Sequence, residues 1–234
     1  MNRTLALALF ALAGATAPAA AAERRYSVTD FDRVVVDGPY QVTLTIGAAS
    51  AASAEGSAEA LDRISVEVQG RTLRVRRNAS GWGGYPGEPT GPVRIALTTR
   101  ELTAASVVGS GGLAVDRAKG LRVDLSVSGS GRLSVGAVDA DNLVVSVLGA
   151  GAVTLAGRAK QLKATVQGSG ELAAAALRTD DAQLLSRTAG RMAVAVARSA
   201  KVTAVGPGDV EILGNPSCTV DAKGSGTVIC GGAR

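Results

Sequence analysis

Leu125-Ser126-Val127-Ser128-Gly129-Ser130-Gly131-Arg132-Leu133-Ser134-Val135 is the stretch that decides how this chain folds. Apolar residues alternate with small polar ones on both sides of a Gly-Ser-Gly triplet. Period-two alternation describes a strand with one face inward, and the triplet supplies a turn that a side chain at that place would crowd. The same unit recurs along the chain. Triplets stand at Gly109-Ser110-Gly111, Gly129-Ser130-Gly131, Gly149-Ala150-Gly151, Gly168-Ser169-Gly170, Thr188-Ala189-Gly190, Gly206-Pro207-Gly208 and Gly224-Ser225-Gly226, with centres 20, 20, 19, 20, 18 and 18 residues apart.

Aligning the units on the central residue exposes apolar columns. Three positions later stand Leu113, Leu133, Val153, Leu172, Met192, Val210 and Val228; five later, Val115, Val135, Leu155, Ala174, Val194, Ile212 and Cys230. Five positions earlier stand Ala105, Leu125, Val145, Ala164, Leu184, Val202 and Val220. A unit this short cannot cover its own inner face, so each must stack on the next. The expected fold is an all-β parallel β-helix-like solenoid with about 18–20 residues per coil and a rise of roughly 4.8 Å per coil. The columns hold Val, Leu and Ala, so the core should be narrow. Polar stretches such as Asp116-Arg117-Ala118-Lys119, Asp139-Ala140-Asp141-Asn142 and Arg178-Thr179-Asp180-Asp181 are expected to form outer loops.

Upstream, Val34-Val35-Val36 leads through Asp37-Gly38-Pro39 into Tyr40, Val42, Leu44 and Ile46 at period two, and further alternation follows at 64–68, 73–75 and 93–97. Residues 57–63 suit one turn of helix. No linker separates this segment from the repeats, so residues 23–234 are expected to form one domain, with wider, irregular coils over 23–104 and regular repeats over 105–231.

The first 22 residues carry Arg3, an apolar run from Leu5 to Ala13 and the small-residue ending Ala20-Ala21-Ala22, the three regions of a secretory signal peptide. Cleavage after Ala22 is expected, with no later segment long and apolar enough to span a membrane as a helix. The mature protein would then be periplasmic, at the cell surface or extracellular. Cleavage removes one charge, leaving 24 basic against 20 acidic residues.

Composition narrows the chemistry. The chain contains no histidine, which excludes Ser-His-Asp and Cys-His catalysis and histidine metal ligation. Two cysteines cannot close a zinc site, and six aromatics are too few for base-stacking platforms, so neither a metal, a cofactor nor a nucleic acid is expected. The expectation is a protein that is not an enzyme. Asp139 with Asp141, and Asp180 with Asp181, read as solvated carboxylates rather than metal ligands, since no calcium-binding nonapeptide accompanies them. The recurrent Gly-x-Gly triplets lie between strands and do not read as phosphate loops.

Three features remain. Arg74 and Arg76, within the run Arg71, Arg74, Arg76, Arg77, alternate with Leu73 and Val75; they form one solvated strand face or an anion-binding strip. The Gly- and Pro-rich loop over 78–89 carries Trp82 and Tyr85, which either bind a sugar or protein partner or fold back as a lid. Cys218 and Cys230 are expected to form a disulfide: export favours oxidation, two cysteines permit one pairing, and both fall in inward columns of the last coils. The alternative for these two is a pair of buried free thiols.

Phe31-Asp32-Arg33-Val34-Val35-Val36-Asp37-Gly38, the Leu-x-Val-x-Gly-Ser-Gly-x-Leu-x-Val units and the ending Gly214-Asn215-Pro216 with Gly224-Ser225-Gly226 resemble the GIN domain family, the adhesin head domain of autotransporters. The resemblance runs over roughly residues 28–231. It implies an exported bacterial protein with a right-handed parallel β-helix-like fold and no catalytic residues or ligand assigned. An autotransporter's translocator barrel has no counterpart in this sequence, so self-transport is not implied. The function expected from all of this is a non-catalytic envelope or surface module that binds an envelope protein or glycan. The alternative is a carbohydrate-active β-helix enzyme, which would need charged groups converging at one outward position over two or three successive coils, and the sequence shows no such convergence.

Overall fold

The computed structural model describes residues 22–78 and 93–232, and the chain forms a β-solenoid of about six turns. Five long strands make its body: β9 (Gly112–Gly129), β10 (Arg132–Gly149), β11 (Ala152–Gly168), β12 (Glu171–Thr188) and β13 (Met192–Ala204). Each runs nearly a whole coil, and neighbours pair in parallel: Leu133 lies between Leu113 and Val153, and Val145 between Leu125 and Ala164. The columns aligned on the triplets are therefore true stacks. Above them come β14 (Val210–Leu213) on the first half of β13, β15 (Ser217–Ala222) on its second half, and β16 (Val228–Gly232) on β14.

Each coil has three sides. A leading side follows the triplet, a trailing side precedes the next, and an outer side joins them. The polar stretches of the outer side are continuous strand, not loops. Ala118, Val138, Leu177 and Val196 point inward there and are buried, closing the core on its third side. Bulges on this side absorb the unequal coil lengths. The interval Val135 to Val138 in β10 is matched by Leu155 to Gly157 in β11, one residue fewer, and β12 restores the residue between Ala173 and Ala176. The columns counted from each triplet therefore stay aligned although the spacing changes.

The N-terminal segment does not stack in chain order. The strands β2 (Arg33–Asp37) and β3 (Gln41–Ile46) flank Gly38 and form one rung. After them come β4 (Ala51–Gly56), the short helix α1 (Ala58–Asp62), β5 (Ile64–Gln69), β6 (Thr72–Arg77), β7 (Arg94–Thr99) and β8 (Ala104–Gly109). β2 pairs with β6 below and β8 above, and β3 with β7 below and β9 above. The first rung is thus enclosed by strands made later. Beneath lie the antiparallel strands β5 under β6 and β4 under β7, with β1 (Ala22–Tyr26) at the edge. Helix α1 joins β4 to β5 across this end, as the sequence suggests for 57–63. The Ser57 hydroxyl accepts from the Ala60 amide at 3.2 Å, and Ala60 and Leu61 are buried against the core.

The core is continuous from Phe31 to Ile212 and almost wholly aliphatic. A serine interrupts one of its apolar stacks. Ser186 occupies an inward stack below Ala204 and above Val166 and Val147, is fully buried, and its hydroxyl has no hydrogen-bond partner. An unpaired buried hydroxyl costs stability. Ser186→Ala is expected to raise stability by about 1 kcal/mol, read as a higher urea midpoint with unchanged slope; an unchanged or lower midpoint would refute the assignment.

Candidate binding faces

The trailing side carries the two arginines singled out from the sequence. Arg74 and Arg76 lie exposed on β6. Their surroundings differ. Arg76 donates to Glu67 at 3.3 Å, and the Ser65 hydroxyl donates to the same carboxylate at 2.7 Å; this hydrogen bond, reinforced by Arg76, holds Glu67 below the usual carboxylate range. Arg71 is bound to Asp32 and Glu101, each at 3.0 Å. Arg74 makes no ion pair among the described residues. Trp82 and Tyr85 lie outside the described residues, in the connection from β6 to β7.

Counting four positions back from each triplet centre gives the outward column Ser106, Ser126, Ser146, Thr165, Leu185, Thr203 and Asp221, and strand pairing stacks these residues. The hydroxyls of Ser126 and Ser106 bond to each other at 2.9 Å. Val35 and then Arg74 continue the column downward. A second outward column holds Asp124, Val144, Lys163, Gln183, Lys201 and Thr219. Beside it runs a trough of about 550 Å³, lined by Arg122, Asn142, Gln161, Lys163, Gln183 and Ser199 among others. Polar groups therefore do converge on one face over successive coils, which corrects the expectation from sequence that they do not. The signal for this face lay in the backward count from the triplets.

The outer side treats its charges differently. Asp139 accepts from Arg158 at 2.8 Å, with Lys119 at 3.9 Å on its other flank; the Arg158 bond holds the Asp139 carboxyl below its usual range. Asp141 pairs with Lys160 at 2.8 Å and raises that amine. Arg198 reaches Asp181 at 2.6 Å and Asp180 at 3.7 Å. Asp139 and Asp141 are thus divided among cations from neighbouring coils, whereas Asp180 and Asp181 share the one arginine of the next coil. Among the described residues no three histidine, cysteine or acidic side chains gather as metal ligands, and no helix is long and apolar enough to cross a membrane.

The leading side is smoother. Thr154, Ala156, Ala173, Ala175 and Ala176 line a shallow, largely apolar depression of about 430 Å³ there. At the C-terminal end, Cys218 of β15 and Cys230 of β16 are joined by a disulfide with Cα atoms 6.6 Å apart. It bridges the trailing and leading sides of the last coil, as their inward columns predict.

Comparison with known proteins places these features. The family model described as "Putative auto-transporter adhesin, head GIN domain" matches residues 30–216. Comparison with curated protein sequences finds no match. Among solved structures, a protein from Bacteroides fragilis described as a putative adhesin is similar with TM-score 0.83 and 21% identity, over 90% of this chain and 97% of that one. A protein from Parabacteroides distasonis described as a putative lipid binding protein follows with TM-score 0.71 and 20% identity, again over 90% and 97%. A protein from Parabacteroides merdae described as a putative adhesin has TM-score 0.68 and 18% identity, with the same coverage. At these identities the likeness is one of fold.

Proposed function

The chain belongs to the auto-transporter adhesin head GIN domain family, and from that membership we propose that it is an exported, non-catalytic binding module whose stacked coils hold a sheet face rigid for a partner in the envelope or outside the cell. One observation carries the reading. Asp139, Asp141, Asp180 and Asp181 are each held in an ion pair with a neighbouring coil and Asp116 accepts from the Ile46 amide, while the polar trough of the trailing side combines amides, hydroxyls and cations with a single carboxylate, Asp181. Such a surface suits holding a ligand, and its single carboxylate, engaged by Arg198 and Ser199, has no second carboxylate in the lining to form an acid/base pair. The descriptions of the similar structures, adhesin and lipid binding protein, name binding activities as well.

Export rests on residues 1–22 as a cleaved signal peptide. Cleavage after Ala22 takes away one residue of β1 and leaves its pairs from Glu23 to Tyr26 with β4 intact. The test is a panel of acidic and neutral polysaccharides incubated with the secreted protein, with bound material and released products both measured. Binding without new reducing ends or unsaturated products is expected. Turnover above background would overturn the reading in favour of a carbohydrate-active β-helix enzyme.

A further inference from the structure

Unpaired cations occur on all three sides among the described residues, but on the trailing side they stand beside a polar trough. Most acids of this side are answered locally. Glu67 meets Arg76, Asp124 is gripped by Arg122 at 2.8 Å, Asp181, at the junction of the outer and trailing sides, by Arg198, and Asp221 lies 3.2 Å from Lys223; Asp37 is the exception. Against these stand Arg74, Lys163, Arg187 and Lys201, all exposed on the same side and without an ion pair among the described residues. Four unanswered cations on a sheet face call for an anionic partner.

Their placement says which kind. Lys163 and Lys201 flank Gln183 in one column, so strand spacing sets them roughly 10 Å apart along the solenoid axis. The trough beside them runs from Arg122 to Ser199, crossing five coils in that direction. A ligand in it must therefore be extended, linear and parallel to the axis. Between the cations the lining is Asn142, Gln161, Gln183 and Ser199, with one carboxylate, Asp181, neutralised by Arg198 and bonded by the Ser199 hydroxyl at 2.7 Å; the column Ser106, Ser126, Ser146 and Thr165 flanks it. The amides and hydroxyls among these both donate and accept, which suits a chain dense in hydroxyls.

Other polyanions fit less well. The described aromatics are Tyr26, Phe31 and Tyr40, none of them on the trailing side of the repeats, so unpaired bases find no ring to stack on. Val108, Leu148 and Val205 are exposed there singly, without the contiguous apolar face that seats a protein in a lipid headgroup layer. Resting on the binding-module reading above, we propose that the trailing side binds a linear carboxylated polysaccharide, with carboxylates at Arg74, Lys163, Arg187 and Lys201 and sugar hydroxyls in the trough.

The experiment uses the mature chain with polygalacturonate as probe, and with dextran, single-stranded DNA and anionic phospholipid vesicles as comparison arms. Polygalacturonate should bind, more weakly as salt rises. The variant Arg74→Ser, Lys163→Ser, Arg187→Ser, Lys201→Ser should lose at least about tenfold in affinity, a modest contribution from each exposed charge. A second variant, Arg94→Ser, Arg117→Ser, Arg132→Ser, Arg178→Ser, removes the same charge from exposed positions on the other two sides and should bind as the parent does. Both alter only exposed residues, and unchanged thermal midpoints show that both fold. Equal losses in the two variants would mean attraction by net charge and would overturn the proposal. So would binding to dextran, DNA or vesicles in preference to polygalacturonate, although binding to any of these would leave the broader binding-module reading standing. Cleavage of polygalacturonate would instead overturn that reading, while a loss confined to the first variant would still assign the face.

Discussion

Gly149→Ala is expected to break the solenoid in its middle. Gly149 closes the third triplet's corner with φ at +108°, a conformation that residues with a Cβ rarely adopt. Space is refused as well: a Cβ there would lie 2.6 Å from the Gly129 carbonyl oxygen and 3.2 Å from its carbon. Those atoms are backbone of the coil below, fixed by the hydrogen bond from the Ala150 amide to the Gly129 oxygen at 2.9 Å. Relief requires the two coils to part. Strain of 1–3 kcal/mol for the backbone alone, added to the clash, gives a loss of at least about 3 kcal/mol. For a chain of this size the thermal midpoint should fall by roughly 10 °C. Ser130→Ala is the matched control, because Ala150 already fills the equivalent place and Ser130 is exposed; it should leave the midpoint unchanged. A Gly149→Ala protein as stable as the parent would show that the corner is not closed as described.

Cys218→Ser is expected to have the second largest effect, confined to one end. The ring closed by the bridge spans 12 residues, and the chain-entropy estimate for a loop of that length is about 3 kcal/mol. The strands it ties have little else to hold them. Among the described residues β15 pairs with β13 alone and β16 with β14 alone, and most of β15 is exposed, Val220 included. In a stack where each coil touches only its neighbours, the loss should appear as fraying rather than as global unfolding. Amide exchange at 217–222 and 228–232 should rise by up to about two orders of magnitude in the serine variant or under reductant, while amides of β10 to β12 hold. A uniform rise across all coils would refute a local role.

Most of the stacking was readable because the repeat and the strand share a period. Residues three and five after a triplet must point the same way, and Leu133, Val135 and their counterparts do. The outer side was less legible for a physical reason. Its inward positions hold Val138, Gly157, Leu177 and Val196 in successive coils, and the bulges before them shift the count, so no fixed offset marks an apolar column. Charged residues dominate what remains, and the stretch resembles a loop. The enclosure of β2 and β3 leaves no trace in periodicity, since pairing partners of a parallel strand are chosen in space rather than in sequence. The binding face was half legible: the hydroxyl column follows from a backward count of four, but the balance of its charges depends on ion pairs such as Arg122 with Asp124 that only coordinates reveal.

The enclosed first rung has a kinetic consequence. β10 meets β9 across 20 residues, as Leu133 meets Leu113, whereas Val42 must find Leu113 and Val34 must find Ala105 across 71. Short loops close first, because the entropy of joining distant segments must be met before their contacts reward it. Nucleation therefore belongs to the repeats from β9 onward, and the amino-terminal strands settle last onto a template already built. A chain emerging from a translocation channel amino terminus first would have its earliest residues waiting on its later ones, and would hold β2 and β3 with one edge open, β6 and β7 alone being there to pair with them, until β8 and β9 had followed. Such a species has open strand edges and exposed valines during that interval, which makes the time spent in transit, more than the stability of the finished molecule, the period of greatest hazard from aggregation and proteolysis.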